Sequence, residues 1–119
     1  MNDWKRLSLS LAIQVMERAL VSLGEHRPLH LSYDIDALDP AVAPATGTVV
    51  RGGLSFREGN YIAEALAETG RLASMDMVEV NHALGERSKA AGSAVSREGE
   101  MTTEMALVLI ASALGSRIL

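Results

Sequence analysis

The run LHLSYDIDALDP, residues 29–40, alternates apolar and polar side chains and then crowds acid at its end. Leu29, Leu31, Tyr33 and Ile35 fall on one side of an extended chain, and His30, Ser32, Asp34 and Asp36 fall on the other. This is the pattern of a strand with one face in a core. Three aspartates, Asp34, Asp36 and Asp39, lie within six residues at its carboxyl end, where Pro40 opens a turn.

Working outward, Leu9, Ala12, Ile13, Met16, Ala19, Leu20 and Leu23 recur at three- and four-residue steps, which predicts an amphipathic helix over 8–23 that stops at Gly24. On the other side, Pro40, Pro44, Gly47, Gly52 and Gly53 mark a loop over 37–54. Ser55 and Glu58 form a capping box that starts a helix over 56–69, with Tyr61, Ile62, Ala65 and Leu66 inward and Gly70 at its end. LASMDMVEV, residues 72–80, reads as a strand buried on both faces. Residues 84–101 are polar and aperiodic and predict a surface loop or a short, irregular helix. The segment 103–114 is apolar nearly all round, as in a helix sandwiched between neighbours, and is too short to span a bilayer.

Strand and helix in alternation predict an α/β fold with parallel strands and a right-handed crossover. Two strands are too few for a stable sheet. The 119 residues are therefore expected to form one domain that is only partial, completed by a larger chain or by a partner. Eleven basic against 15 acidic residues, a net charge of -4, form no long block of either sign, which argues against a nucleic-acid or membrane-surface module. The absence of cysteine excludes disulfides and thiolate metal sites. The opening residues lack the basic leader, apolar stretch and cleavage site of an export signal, so a cytoplasmic location is expected, or a mitochondrial one if the native N-terminus is missing.

On a strand, Asp34 and Asp36 project to the same side, roughly 6.5 to 7 Å apart. Two such carboxylates repel unless a cation lies between them, and oxygen donors favour hard divalent ions. In open α/β sheets, ligands also gather at the carboxyl ends of strands. An Asp-x-Asp near a strand end is more often turn chemistry or a solvated rim, so spacing alone favours that reading over a metal site. Asp39 before Pro40 is explained by a turn. His30 lies roughly 13 Å along the strand from Asp34, which favours a packed or hydrogen-bonded histidine over a ligand. Glu79, taken alone, reads as a strand-end partner for a cation.

SYDIDALDPAVAPATGT followed by GGLSFREGNYIAEALAETGRLASMDMVEVN resembles the C-terminal third of arginases, within the ureohydrolase family. The resemblance runs from about Leu9 to Asn81. It implies part of a three-layer α/β/α fold with a parallel sheet, an active site holding two Mn2+, and hydrolysis of L-arginine to L-ornithine and urea by a metal-activated water. It also implies that Asp34 and Asp36 are metal ligands, that Glu79 receives the substrate guanidinium, and that Thr48, in ATGT, hydrogen-bonds near that glutamate. Arg57 and Glu58 fall in a region used for contacts between subunits in trimeric members; a homo-oligomer, trimer or hexamer, is the expectation.

PATGT and EVN resemble arginase more than agmatinase, whereas Val49 and His82 stand where the family commonly has proline. His82 is read as an exposed loop residue. The family's D-A-H-x-D segment and its proton-shuttling histidine have no match in these residues, so the chain is expected to be inactive alone. Agmatinase or guanidinobutyrase chemistry, or a noncatalytic assembly fragment, are the alternatives.

Overall fold

The computed structural model describes residues 3–84 and 97–116. Helix α1 spans Asp3–Leu23, strand β1 Leu29–Asp34, helix α2 Phe56–Glu68, strand β2 Leu72–Val78 and helix α3 Glu98–Ala113. A single 3-10 turn, Ile35–Ala37, follows β1 directly. β1 and β2 are parallel neighbours, with α2 in the connection between them. The chain is thus α/β with a parallel sheet, as the alternation predicts.

Side chains on β1 divide as their spacing requires. Leu29, Tyr33 and Ile35 are buried, while His30 and Ser32 are exposed. Tyr33 and Ile35 join Leu38, Ala43, Ala106 and Leu109 in one cluster; Leu29 joins Met16 and Leu66 in another, and Leu31 packs against both. All three helices therefore cover one face of the sheet. Burying each large apolar side chain stabilises the fold by about 1.5–3 kcal/mol.

β2 departs from expectation on its other face. Ala73, Ser74, Asp76 and Val78 are exposed, so this strand is buried on one side and not on both. The apolar run shows what the strand could bury, but no described residue covers that side. The pairing also contains an irregularity: Leu29 faces Leu72 while His30 faces Ser74, leaving Ala73 over as a bulge. Beyond it, Ser32 faces Asp76 and Asp34 faces Val78.

Helix limits differ for local reasons. α1 begins at Asp3 because 3–7 contain no breaker, although apolar periodicity starts later. Leu23, expected inward, is exposed in the last turn. α3 begins at Glu98, five residues before its apolar run, with Glu98 and Glu100 opposing the helix dipole in its first turn. Gly99 interrupts nothing there: a Cβ on it would lie 2.6 Å from the His82 carbonyl oxygen, so glycine permits a close approach. Leu107 on α3 is exposed, so this helix is not covered all round. The rest of the expected 84–101 segment, residues 85–96, lies outside the described residues. No described helix is long and apolar enough to cross a membrane.

The loop after the 3-10 turn is held by backbone bonds. Leu38 and Leu54 form an isolated bridge, in which Asp39 N–H donates to Leu54 O (2.9 Å) and Leu54 N–H donates to Ala37 O (2.8 Å). The capping box of α2 is present, with Ser55 N–H donating to Glu58 Oε1 (2.9 Å) and Glu58 N–H to Ser55 Oγ (3.2 Å). That pairing accounts for Glu58 locally.

Candidate active site

The carboxyl ends of β1 and β2 bring three acids together. β1 stops at Asp34, whose side chain caps the following turn by accepting Asp36 N–H at 3.1 Å. Asp36 therefore does not continue a strand, as the alternation had suggested; the turn folds it back onto Asp34. The Asp36 carboxyl is raised above the usual carboxylate range, first by its hydrogen bond with Asp34, then by burial, and then by the negative charges of Asp34 and Glu79. Two neighbouring parallel strands deliver these acids to one edge.

Glu79 stands one residue past β2 with φ 69, the one non-glycine among the described residues in the left-handed region. For a residue with a Cβ this conformation is costly, and such positions concentrate at functional sites. It also explains why β2 ends at Val78, two residues before the expected end. No feature of the sequence signals this conformation, since glutamate is not a residue that favours it.

Thr48 is exposed in the loop that begins at Ala37. Its segment is tied to the chain after Glu79 by one backbone bond, Asn81 N–H to Ala45 O at 2.9 Å. Among the described residues Thr48 and Glu79 are not hydrogen-bonded to each other. Ala45 N–H donates to Thr102 Oγ1 (2.8 Å), and Thr102 donates in turn to Glu98 O (2.8 Å), so α3 supports the same junction. Thr46, which sequence reasoning passed over, is 4% exposed with its hydroxyl unpartnered in the structure.

A polar ladder on the exposed sheet face was also missed. Ser32 Oγ donates to Asp76 Oδ1 (2.6 Å), His30 Nε2 meets Asp76 Oδ2 (3.2 Å), and His30 Nδ1 meets Ser74 Oγ (2.8 Å). The Ser32 bond and then the His30 bond hold Asp76 below the usual carboxylate range, outweighing its partial loss of hydration. His30 is thus a hydrogen-bonded histidine, the reading its distance from Asp34 favoured. The signal for the ladder is the strand register, which the sequence does not reveal past a bulge. His82 is exposed as expected, but it lies in helical backbone at 82–84 and not in a loop, and it packs beside Gly99.

The donors at the strand ends suit a hard divalent cation chemically: carboxylates gathered closely enough to raise a pKa are those that a positive ion would relieve. They are too few to hold a cation tightly. No described group of three or more His, Cys, Asp or Glu side chains is arranged to bind a metal.

Comparison with known proteins agrees with the fold and the motifs. The family model described as Arginase family matches residues 1–115. The hepatic arginase of Aquarana catesbeiana is 46% identical over 117 residues, covering 97% of this chain and 33% of that protein. The crystal structure of arginase from Bacillus cereus superposes with a TM-score of 0.74 at 37% identity, covering 91% of this chain and 33% of that one. The arginase of Entamoeba histolytica, solved in complex with L-ornithine, superposes with a TM-score of 0.70 at 30% identity, covering 96% of this chain and 33% of that one. The chain spans about a third of the length of these relatives. With a family model matching nearly its whole length, the chain belongs to the arginase family.

Proposed function

We propose that this chain supplies the guanidinium-receiving edge and two metal ligands of an arginase-type active site, and is a partial domain with no activity of its own. The complete site hydrolyses L-arginine to L-ornithine and urea. The observation carrying this reading is the convergence of Asp34, Asp36 and Glu79 at adjacent parallel strand ends, where the hydrogen bond with Asp34 and then the charges of Asp34 and Glu79 raise the Asp36 carboxyl. The ornithine bound by the Entamoeba histolytica arginase supports the choice of substrate.

In this reading Asp34 and Asp36 hold cations, two Mn2+ per complete site. When bound, such ions supply Lewis acidity and an activated water at neutral pH. Glu79 receives the planar guanidinium through charge-assisted hydrogen bonds, and its left-handed backbone sets the direction of the carboxylate. Thr48 lies on the loop that lines the same junction. The reaction joins the water oxygen to the guanidinium carbon and breaks that carbon's bond to the side-chain nitrogen, which leaves with a proton as the ornithine amine.

Two carboxylates fill few positions around any ion, which is why the isolated chain is expected to be inactive. The exposed polar face of the sheet fits the same view, because two strands covered on one side need further chain, or a partner, to complete the fold. The remaining part of the fold, and assembly into a homo-oligomer, belong to this proposal.

Urea release from arginine by the purified chain with excess Mn2+ is the test of incompleteness, and clear turnover would overturn it. In a polypeptide that supplies the rest of the family fold, Glu79→Gln is expected to lower kcat/KM about 10- to 100-fold, the worth of a hydrogen bond to a charged group. Mn2+ affinity should stay unchanged. A matching loss with agmatine but none with arginine would move the assignment to agmatinase chemistry.

A further inference from the structure

We infer that Asp39 is a positioning residue whose carboxylate clasps both stems of the loop 37–54 and thereby fixes where that loop meets the chain beyond Glu79. This rests on the reading of Glu79 and Thr48 as guanidinium-positioning residues. Asp39 touches no substrate in this account; it acts through backbone alone.

Almost every polar atom of Asp39 is spent on this loop. Its Oδ2 accepts Ala41 N–H (2.9 Å) and its Oδ1 accepts Gly52 N–H (3.0 Å), so one carboxylate joins segments thirteen residues apart. Its own N–H donates to Leu54 O (2.9 Å), and its carbonyl accepts Val42 and Ala43 N–H at 2.8 and 3.0 Å. A turn needs only the first of these bonds. The bond to Gly52 and the bridge to Leu54 are what make it a clasp.

The held segment leads to the site. Between the clasped stems, Ala43 and Ala45 are fully buried, and the Ala45 carbonyl accepts Asn81 N–H two residues past Glu79. Moving the stems must therefore move Ala45, Asn81 or both. Amide hydrogen bonds from Ala41, Gly52 and Gly53, together with the charge of Arg51, hold the Asp39 carboxyl below its ordinary range against the effect of burial. The clasp is accordingly charged at neutral pH and is weakened only in acid.

The experiment is backbone amide hydrogen exchange by NMR on the chain as wild type, Asp39→Ala and Asp39→Asn. In Asp39→Ala, exchange at Gly52, Leu54 and Asn81 is expected to accelerate about tenfold, the effect of roughly one net hydrogen bond, while Tyr33 and Met77 in the sheet keep their rates. Asp39→Asn, which retains one acceptor oxygen, should recover part of the protection at Asn81. An unchanged Asn81 would reduce Asp39 to a local turn, and uniform acceleration would make it a general stabiliser; either result overturns the inference.

Should Asp39→Ala fail to fold, acid titration of the wild type decides. The amide shifts of Ala41, Gly52 and Asn81 should follow one common midpoint below the ordinary carboxylate range. A higher midpoint at Asn81 would belong to Asp36 and would overturn the inference. No metal or arginine is added, so the clasp can stand or fall separately from the hydrolase reading.

Discussion

Replacing Gly53 by alanine tests the geometry of the site loop more sharply than any change to the acids. A Cβ built on Gly53 lies 2.7 Å from Asp39 N, 2.8 Å from Ala37 O and 2.8 Å from Leu38 C. All three are backbone atoms, so no rotamer change relieves the clash. The chain must instead open the Leu38–Leu54 bridge, whose two backbone bonds each contribute about 0.5–1.5 kcal/mol, or accept overpacking worth about 1–3 kcal/mol. After a gain of about 0.4–1 kcal/mol from a stiffer unfolded chain, the mid-range net loss is about 1–2 kcal/mol. For a domain near this size that lowers the Tm by roughly 4–15 °C. Two further glycines calibrate the measurement. Gly47 has nothing within 4 Å of its built Cβ, so Gly47→Ala should change stability by less than about 0.5 kcal/mol. Gly59 meets the ends of side chains, Leu38 Cδ2 at 2.5 Å and Tyr33 OH at 2.6 Å, which can shift, and alanine there gains about 1 kcal/mol of helix propensity. Urea unfolding followed by circular dichroism should therefore rank the losses Gly53 above Gly59 above Gly47. A Gly53→Ala variant within about 0.5 kcal/mol of wild type would refute the close approach and the loop position built on it.

The other expectations concern groups at or near the site. The Tyr33 hydroxyl is buried without a partner, so Tyr33→Phe should stabilise the chain by about 1 kcal/mol in thermal unfolding, and a comparable loss would reveal a hidden hydrogen bond. The Asp36 carboxyl is raised from 3.8 in the folded state, so its contribution to stability is complete below that value and is lost as pH rises through the raised one. Asp36→Asn should then stabilise the metal-free chain at neutral pH and remove that loss. Asp76 is shifted the other way, so its contribution exists above 3.8 and disappears as pH falls, and Asp76→Asn should weaken the chain chiefly at neutral pH. A Tm-against-pH profile that moves the same way for both variants would contradict these signs. Glu79→Gly relieves a left-handed backbone worth of order 1–3 kcal/mol, less about 0.5–1 kcal/mol for glycine's unfolded freedom, and should exceed Glu79→Gln in stability; equal stability would show no strain there.

What the sequence makes legible is set by what periodicity and capping chemistry encode. Leu29, Tyr33 and Ile35 bury together because period-two alternation is enforced by the pleat, and Ser55 with Glu58 caps α2 because only that spacing lets each meet the other's backbone. The acids at the end of β1 were legible as a cluster, but their geometry was not: Asp34 caps a 3-10 turn, and no alternation announces where a strand stops. Glu79 was placed at a strand end, yet its φ depends on tertiary contacts around Asn81. The apolar run 72–80 was read as covered on both sides because a sequence shows a strand's capacity for burial and not which neighbours are there to use it. The polar, aperiodic segment 84–101 gave no sign that its end opens α3, where Gly99 permits a close contact with His82. Asp39 was legible as a turn; its reach to Gly52, thirteen positions on, was not, because the residues between carry no pattern that brings the chain back.

The convergence of the strand-end acids on divalent cations is tested most directly by titrating Mn2+ into the chain and recording paramagnetic broadening of each backbone amide. The account predicts weak binding, with a dissociation constant on the order of 10⁻⁴ to 10⁻³ M, that broadens Ile35, Asp36, Val80 and Asn81 first and is lost in Asp36→Asn. Broadening centred on Asp76 or on Glu98 and Glu100, or a profile unaltered by Asp36→Asn, would contradict it.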